Sequence, residues 1–323
     1  MKYFLTCLIP SLLFVAGIAA VYVLEFRLLK KWIGRRLRKE PAERMLTSKS
    51  AIILHALSVF GVLCFAWSYY VEPYRLEINT ITIPTEKLKN TSFRVVQISD
   101  LHCDKKIRLE SRLVEEINKL HADLIVFTGD SLNNKNALLL LQATLRSMKA
   151  SLGKYAVRGN VDDRFWEGID LFADTGFQEL TLDTVSINKN GEHLGLCGLD
   201  FKNGPQSYQA IKDLSSETFN ILLFHKSDLI SYLEKDPIDL YLCGHTHGGQ
   251  VALPFYGALM TQSRYGKKYE AGLYQFGHIQ LYVNRGIGMS DGWLPRVRFF
   301  ARPEITVFEI VPKFTVRNEG SPD

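Results

Sequence analysis

Phe93-Arg94-Val95-Val96-Gln97-Ile98-Ser99-Asp100-Leu101-His102 is the stretch that decides the fold. A short apolar run ends on Ser99, and the polar side chains of Asp100 and His102 follow immediately. The pattern then repeats. Leu109, Leu113, Ile117 and Leu120 recur at helical spacing, and the apolar run 123–127 reads as a second buried strand closing on Thr128-Gly129-Asp130. Leu138, Leu141, Leu145 and Met148 mark a second amphipathic helix, and residues 155–158 run into Gly159-Asn160. Three successive strands thus carry a metal-type ligand at the carboxyl end, where open α/β sheets place their ligand crevices.

The second half is richer in strands, expected at residues 180–187, 194–199, 219–224, 238–243, 279–283 and 305–311. Two of them run into histidines, His225 and His245. This content fits an α/β sandwich of mixed β-sheets flanked by helices better than one all-parallel sheet. No internal repeat or low-complexity stretch interrupts it, and the tail from Pro312 is expected to fray.

Asp100 and His102, two residues apart, can turn toward one cation if the backbone leaves strand geometry between them. Asp130, after a glycine, could bridge two cations with one carboxylate. Asn160 supplies a neutral oxygen, and His225, His245 and His247 complete a nitrogen and oxygen donor set. Such a set suits Mn²⁺ foremost, or Fe²⁺ or Zn²⁺, whereas all-oxygen ligation would point to Mg²⁺ or Ca²⁺. Any one of these residues alone would read as a satisfied core polar group; seven together at strand ends do not. His121, His193 and His278 need no function, and His55 is expected to reach the membrane interface.

In order, Asp100-Leu101-His102, Gly129-Asp130, Gly159-Asn160, His225 and Gly244-His245-Thr246-His247 resemble the blocks of the calcineurin-like metallophosphoesterase superfamily. The resemblance runs over residues 93–311. It implies that Asp100, His102, Asp130 and His247 hold one divalent cation and Asp130, Asn160, His225 and His245 the other. Asp130 would be the bridge, with Asp130, Asn160 and His225 in catalytic roles. Two such cations clamp phosphate oxygens and neutralise charge in an in-line displacement. The third block departs from the common pattern, because Val161 stands where a histidine usually follows Gly-Asn. Valine donates no proton, which favours a phosphate leaving group over an alkoxide.

The segments Gly244 to Gln250, Asn284-Arg285-Gly286-Ile287-Gly288 and Arg302-Pro303-Glu304-Ile305 look like a membrane-linked bacterial branch, the chlamydial UDP-2,3-diacylglucosamine pyrophosphatases of lipid A biosynthesis. That resemblance implies cleavage to UMP and 2,3-diacylglucosamine 1-phosphate. Arg158, Arg164, Lys226 and Arg285 adjoin ligand blocks and are candidates to bind substrate. The alternatives are a membrane-held phosphoesterase acting on another lipid headgroup, cell-wall polymer or nucleotide, and a non-catalytic scaffold, against which the intact ligand blocks argue.

The chain of 323 residues has a further part. Residues 4–24 and 51–71 are each apolar for long enough to cross a bilayer, which takes ~20 residues. Between them lie Arg27, Lys30, Lys31, Arg35, Arg36, Arg38, Lys39, Arg44 and Lys49, which concentrate the net charge of +5. That cluster suits a membrane surface with anionic lipids. Nucleic acid would call for interleaved aromatics, and only Trp32 is present. No protein partner follows from the sequence. The five cysteines show no paired spacing, so neither a disulfide framework nor a zinc knuckle is expected. Membrane-anchoring segments over residues 1–72 and a metallophosphoesterase domain over 90–312 follow. A sugar nucleotide made inside the cell places the domain on the cytoplasmic face of the inner membrane, while a basic loop between two spans argues for the outer face.

Overall fold

The computed structural model describes residues 2–200, 202, 208–290 and 296–313, so the tail expected to fray lies, from residue 314 on, outside the described residues. The chain opens with helices α1 (Lys2–Leu37), α2 (Glu43–Thr47) and α3 (Lys49–Tyr70). Both α1 and α3 are long and apolar enough to cross a membrane, and little of either is buried. They run antiparallel: Tyr22 donates its hydroxyl to Ser58 O at 3.0 Å, and His55 Nδ1 lies 2.7 Å from Glu25 Oε1. His55 is therefore paired across the hairpin.

The start of α1 and the end of α3 both meet the rest of the protein. Ser11 Oγ donates to Leu259 O at 2.9 Å, and the Arg298 amide donates to Ser68 O at 3.0 Å. The basic turn of the hairpin consequently lies at the far end. A helix of 36 residues is ~54 Å long against a hydrocarbon core of ~30 Å, so the basic last third of α1 extends beyond the length its apolar part would span.

The remaining elements are β1 (Glu77–Thr85), β2 (Phe93–Ile98), α4 (Glu110–Lys119), β3 (Leu124–Phe127), α5 (Leu138–Arg146), β4 (Gly153–Ala156), α6 (Asn160–Phe165) and β5 (Phe177–Glu179). They are followed by β6 (Asp183–Lys189), β7 (Glu192–Gly198), α7 (Tyr208–Lys212), β8 (Phe219–Leu223) and β9 (Leu240–Cys243). A small hairpin of β10 (Ala252–Leu253) and β11 (Gly257–Ala258) precedes β12 (Gly272–Phe276), β13 (Ile279–Val283) and β14 (Glu304–Pro312). One sheet has the order β1-β14-β2-β3-β4-β5 and the other β12-β13-β9-β8-β7-β6. Strands β2 to β5 are parallel, as are β7, β8, β9 and β13, while antiparallel pairs (β14 with β2, β6 with β7, β12 with β13) make both sheets mixed.

Side-chain parity builds the layers. Phe93, Val95, Leu124 and Val126 face inward onto Leu194, Leu196, Ile221, Leu223, Leu240 and Leu242 of the second sheet. The alternate residues Val96, Ile98, Ile125 and Phe127 face outward onto Leu113 and Ile117 of α4 and Leu141 and Leu145 of α5. Leu222, Tyr241 and Leu281 do the same on the other side. With period two and both faces covered, central strands must read as continuous apolar runs, which is why they were legible. Each fully buried aliphatic side chain among them contributes roughly 1.5–3 kcal/mol.

Strand β1 lies outside the span 90–312 read from the sequence. It pairs with β14 over its whole length, from Glu77 opposite Glu304 to Thr85 opposite Pro312. Its alternation of half-buried and exposed residues is that of an edge strand, so no apolar run announces it. The short edge strands β5 and β12 escaped for the same reason.

Candidate metal centre

All seven candidate ligands emerge past the carboxyl ends of parallel strands: Asp100 and His102 after β2, Asp130 after β3, Asn160 after β4, His225 after β8, and His245 and His247 after β9. Five of them, Asp100, His102, Asp130, His245 and His247, have positive φ between 42° and 73°. Left-handed backbone is uncommon for non-glycine residues and costs of order 1–3 kcal/mol each. It also takes the backbone out of strand geometry, which turns these side chains off the sheet faces and into one shared space.

Two groups result. Asp100, His102 and His247 place ligand atoms within 4.8 Å of one another, and so do Asp130, His225 and His245. Asp130 lies between the groups, its Oδ2 3.2 Å from His225 Nε2 and 3.7 Å from His102 Nε2. His247 Nε2 lies 3.3 Å from Asp100 Oδ1. Asn160 begins α6 beside Gly159, where a Cβ would meet Asp130 Oδ1 at 2.1 Å; only glycine lets the two loops touch here.

Four atoms of the candidate ligands, Asp100 Oδ1, His102 Nε2, Asn160 Oδ1 and His225 Nε2, are buried without a hydrogen-bond partner. Buried polar atoms are rarely left unsatisfied, and a mixed nitrogen and oxygen set of this kind fits divalent cations. The far sides of the rings are occupied. His225 Nδ1 donates to Thr128 O at 2.7 Å, His102 Nδ1 to Asn133 Oδ1 at 2.8 Å, and His245 Nε2 to Gln262 O at 3.3 Å. Each such bond puts a proton on the outer nitrogen, so that the inner one carries the lone pair whenever the ring is neutral.

Electrostatics favour ionised carboxylates. Burial opposes charge on Asp100 and Asp130, but the histidines around them outweigh it and hold both below the usual carboxylate range. Burial pushes His102 down to about 4, and burial with the neighbouring His225 and Lys226 pushes His245 down to about 3. Burial also works against charge on His225, yet Asp130 and Asp100 lift it to about 9.

Residues 93–249 match the calcineurin-like phosphoesterase family. The uncharacterized metallophosphoesterase YkuE of Bacillus subtilis is 35% identical over 266 residues, covering 76% of this chain and 89% of the relative. The chain belongs to the calcineurin-like phosphoesterase family. An uncharacterized metallophosphoesterase of Aquifex aeolicus is 30% identical and covers 78% of this chain and 98% of its own length. The UDP-2,3-diacylglucosamine pyrophosphatase LpxG of Chlamydia muridarum is 27% identical, with 80% of this chain and 96% of the relative covered. Phosphoesterases of this family work through dinuclear metal centres, and the sandwich of mixed sheets described above is their fold.

Within this phosphoesterase the basic candidates are placed differently. Arg158 turns away, spending its guanidinium on Glu179 (2.6 Å) and on the carbonyls of Trp166 and Ile169. Arg164 stacks over Phe165. Lys226 is half-buried beside His225, and burial lowers its ammonium. The stem of Arg285 lies against Gly248, the residue after His247, while its head pairs with Glu304 (2.8 Å) and Glu77 (3.2 Å).

Two supporting residues escaped the sequence reading. Arg298 is fully buried, donates to the carbonyls of Arg285, Gly286, Gly288 and Ala301, and reaches His247 Nδ1 at 3.3 Å. Asp162 accepts from the amides of Ser131 (2.8 Å) and Gly159 (3.1 Å), locking the loops that carry Asp130 and Asn160 together. Asp162 closes the Gly159-Asn160-Val161-Asp162 block and caps its own helix through Gly159, a local signal, but its bond to Ser131 and most of the partners of Arg298 lie in other loops.

Proposed function

We propose that this phosphoesterase is a membrane-anchored pyrophosphatase that cleaves UDP-2,3-diacylglucosamine to UMP and 2,3-diacylglucosamine 1-phosphate. The observation that carries hydrolysis is the set of four buried ligand atoms without partners at the junction of the two sheets. The substrate rests on similarity to the chlamydial pyrophosphatase over most of both chains. In this reading Asp100, His102, Asp130 and His247 hold one divalent cation and Asp130, Asn160, His225 and His245 the other, with Mn²⁺ first and Fe²⁺ or Zn²⁺ next. When bound, the cations supply Lewis-acid polarisation of phosphoryl oxygens and charge neutralisation for in-line displacement.

The chain's own residues orient that chemistry. The Val161 amide donates to Asp130 Oδ1 at 2.8 Å, turning Oδ2 toward the histidines. The Val161 side chain offers no proton, which suits a leaving phosphate that needs none. Residues 1–72 serve as the anchor, and the catalytic domain begins with β1. Lys226 and Arg285 are the candidates to meet substrate at the rim.

Release of UMP from UDP-2,3-diacylglucosamine by the full chain in nanodiscs, followed with metal content, tests the reading; turnover of a chromogenic phosphodiester without any UMP release removes the substrate but keeps the chemistry. A second reading is favoured by the basic turn of the hairpin. The positive-inside tendency places that turn in the cytoplasm and the domain outside, where it would act on a lipid headgroup or cell-wall polymer. A reporter fused after Asp323 that is active only in the cytoplasm supports the first reading, and one active only outside supports the second.

A further inference from the structure

Between α1, α3 and the 251–254 and 297–302 loops lies a cavity of about 1650 Å³. It exceeds the ~300–1,000 Å³ of most small-molecule sites. Its walls toward the helices are apolar, built from residues that include Leu13, Tyr22, Phe60 and Trp67. Its domain end is polar, ringed by Arg75, Arg285 and Arg302 with Glu72 and Glu77.

That polar end adjoins the candidate metal centre. The Cγ of Arg285 would lie 3.0 Å from a Cβ on Gly248, and a Cβ on the next residue, Gly286, would lie 2.5 Å from Asp100 Cβ. Arg298 ties the same loop to His247 through its guanidinium and to α3 through its amide. An occupant must therefore be apolar along the helices and polar where it meets arginine. A helix from a second copy would carry no such end, and a free headgroup would leave the apolar walls wet.

We propose that this groove receives an acyl chain of a phosphate-bearing lipid substrate whose headgroup lies at the Asp and His cluster. The proposal rests on the lipid-substrate reading above and adds where the chain is held. An amphiphile so bound keeps its tail among apolar side chains continuous with the bilayer, so the phosphate reaches the centre without the tail entering water.

Gly17 offers the test, because it lines the groove and a Cβ there meets nothing within 4 Å. Gly17→Trp puts an indole into the groove, whereas Ala20→Trp adds the same bulk to an exposed position of α1 outside it. Each is compared with the natural chain in nanodiscs on 4-nitrophenyl tetradecyl phosphate and 4-nitrophenyl ethyl phosphate. Gly17→Trp should lower the tetradecyl-to-ethyl ratio of kcat/KM by at least about tenfold, the effect of displacing roughly two methylenes. Ala20→Trp should leave the ratio unchanged. An unchanged ratio in Gly17→Trp, or an equal fall in both variants, overturns the groove.

A binding measurement covers a chain that turns over neither diester. Tetradecyl phosphate with a terminal diazirine should label the groove walls of α1 and α3 in the natural chain and in Ala20→Trp, and not in Gly17→Trp. Labelling that is indifferent to Gly17→Trp overturns the proposal. Loss of UMP release with the chain-length and labelling results intact would remove the sugar-nucleotide reading and leave the groove standing.

Discussion

The main-chain nitrogen of His245 donates to Asp100 Oδ2 across 3.0 Å. Asp100 follows β2 of one sheet and His245 follows β9 of the other, so this bond joins the carboxyl ends of the two sheets. Ser99 Oγ donates to the same oxygen at 2.6 Å, which leaves Oδ1 to face His247. The ligand cluster is thus assembled across the sandwich, and its geometry depends on how closely the two loops approach.

Gly244 sets that approach. A Cβ there would lie 2.0 Å from Ser99 Oγ and 2.2 Å from Asp100 Oδ2, two atoms already held by hydrogen bonds. Gly244→Ala should spread the loops and lower metal occupancy and turnover by about 10–100-fold, the range for disturbed support of a metal site. Metal analysis and diester hydrolysis check this; full occupancy in the variant would mean that the contact yields freely.

Asp130→Asn should be more severe, with turnover reduced by more than about 100-fold, because one carboxylate faces histidines of both groups. Metal content should fall at both sites. Retained activity with a full metal complement would sink the shared role of Asp130.

Removing Arg298 exposes a different dependence. Arg298→Met leaves the carbonyls of Arg285, Gly288 and Ala301 without this donor, at about 1–3 kcal/mol for each group left unsatisfied, while Gly286 O keeps the Glu304 amide at 3.2 Å. At the lower end of that range the three groups lose about 3 kcal/mol together, which corresponds to a Tm lowered by roughly 6–12 °C, with the His247 side of the cluster loosened first. Calorimetry with metal titration checks both parts, and an unchanged Tm would show that water replaces the guanidinium.

Asp163 predicts a pH effect. Burial and the adjacent Asp200 push its carboxyl up to about 6, above its ordinary value of 3.8. The neutral form is therefore favoured in the folded chain; the stabilisation is present below the ordinary value and lost as pH rises through about 6. Asp163→Asn, which stays neutral, should raise Tm relative to the natural chain at pH 8 and change it little at pH 4. A larger gain at pH 4 would contradict the sign.

The central strands and all seven candidate ligands were legible because their signals are local. A strand buried on both faces must be apolar throughout, and a ligand at its carboxyl end stands next to it in sequence, as Asp130 does to β3 and His225 to β8. The two apolar helices were legible by length alone. Edge strands such as β1 carry no such run, because half of their surface faces solvent. The bonds of Asp162 to Ser131, of Arg298 to residues 285–288 and of Glu304 to Arg285 join different loops, which no linear pattern brings together. The turning of Arg158 toward Glu179, away from the cluster, was likewise decided only when β4 and β5 paired. Residue type and spacing thus determined the candidate donor set, while packing of two sheets and a helical hairpin decided which charges face it and what lies beside it.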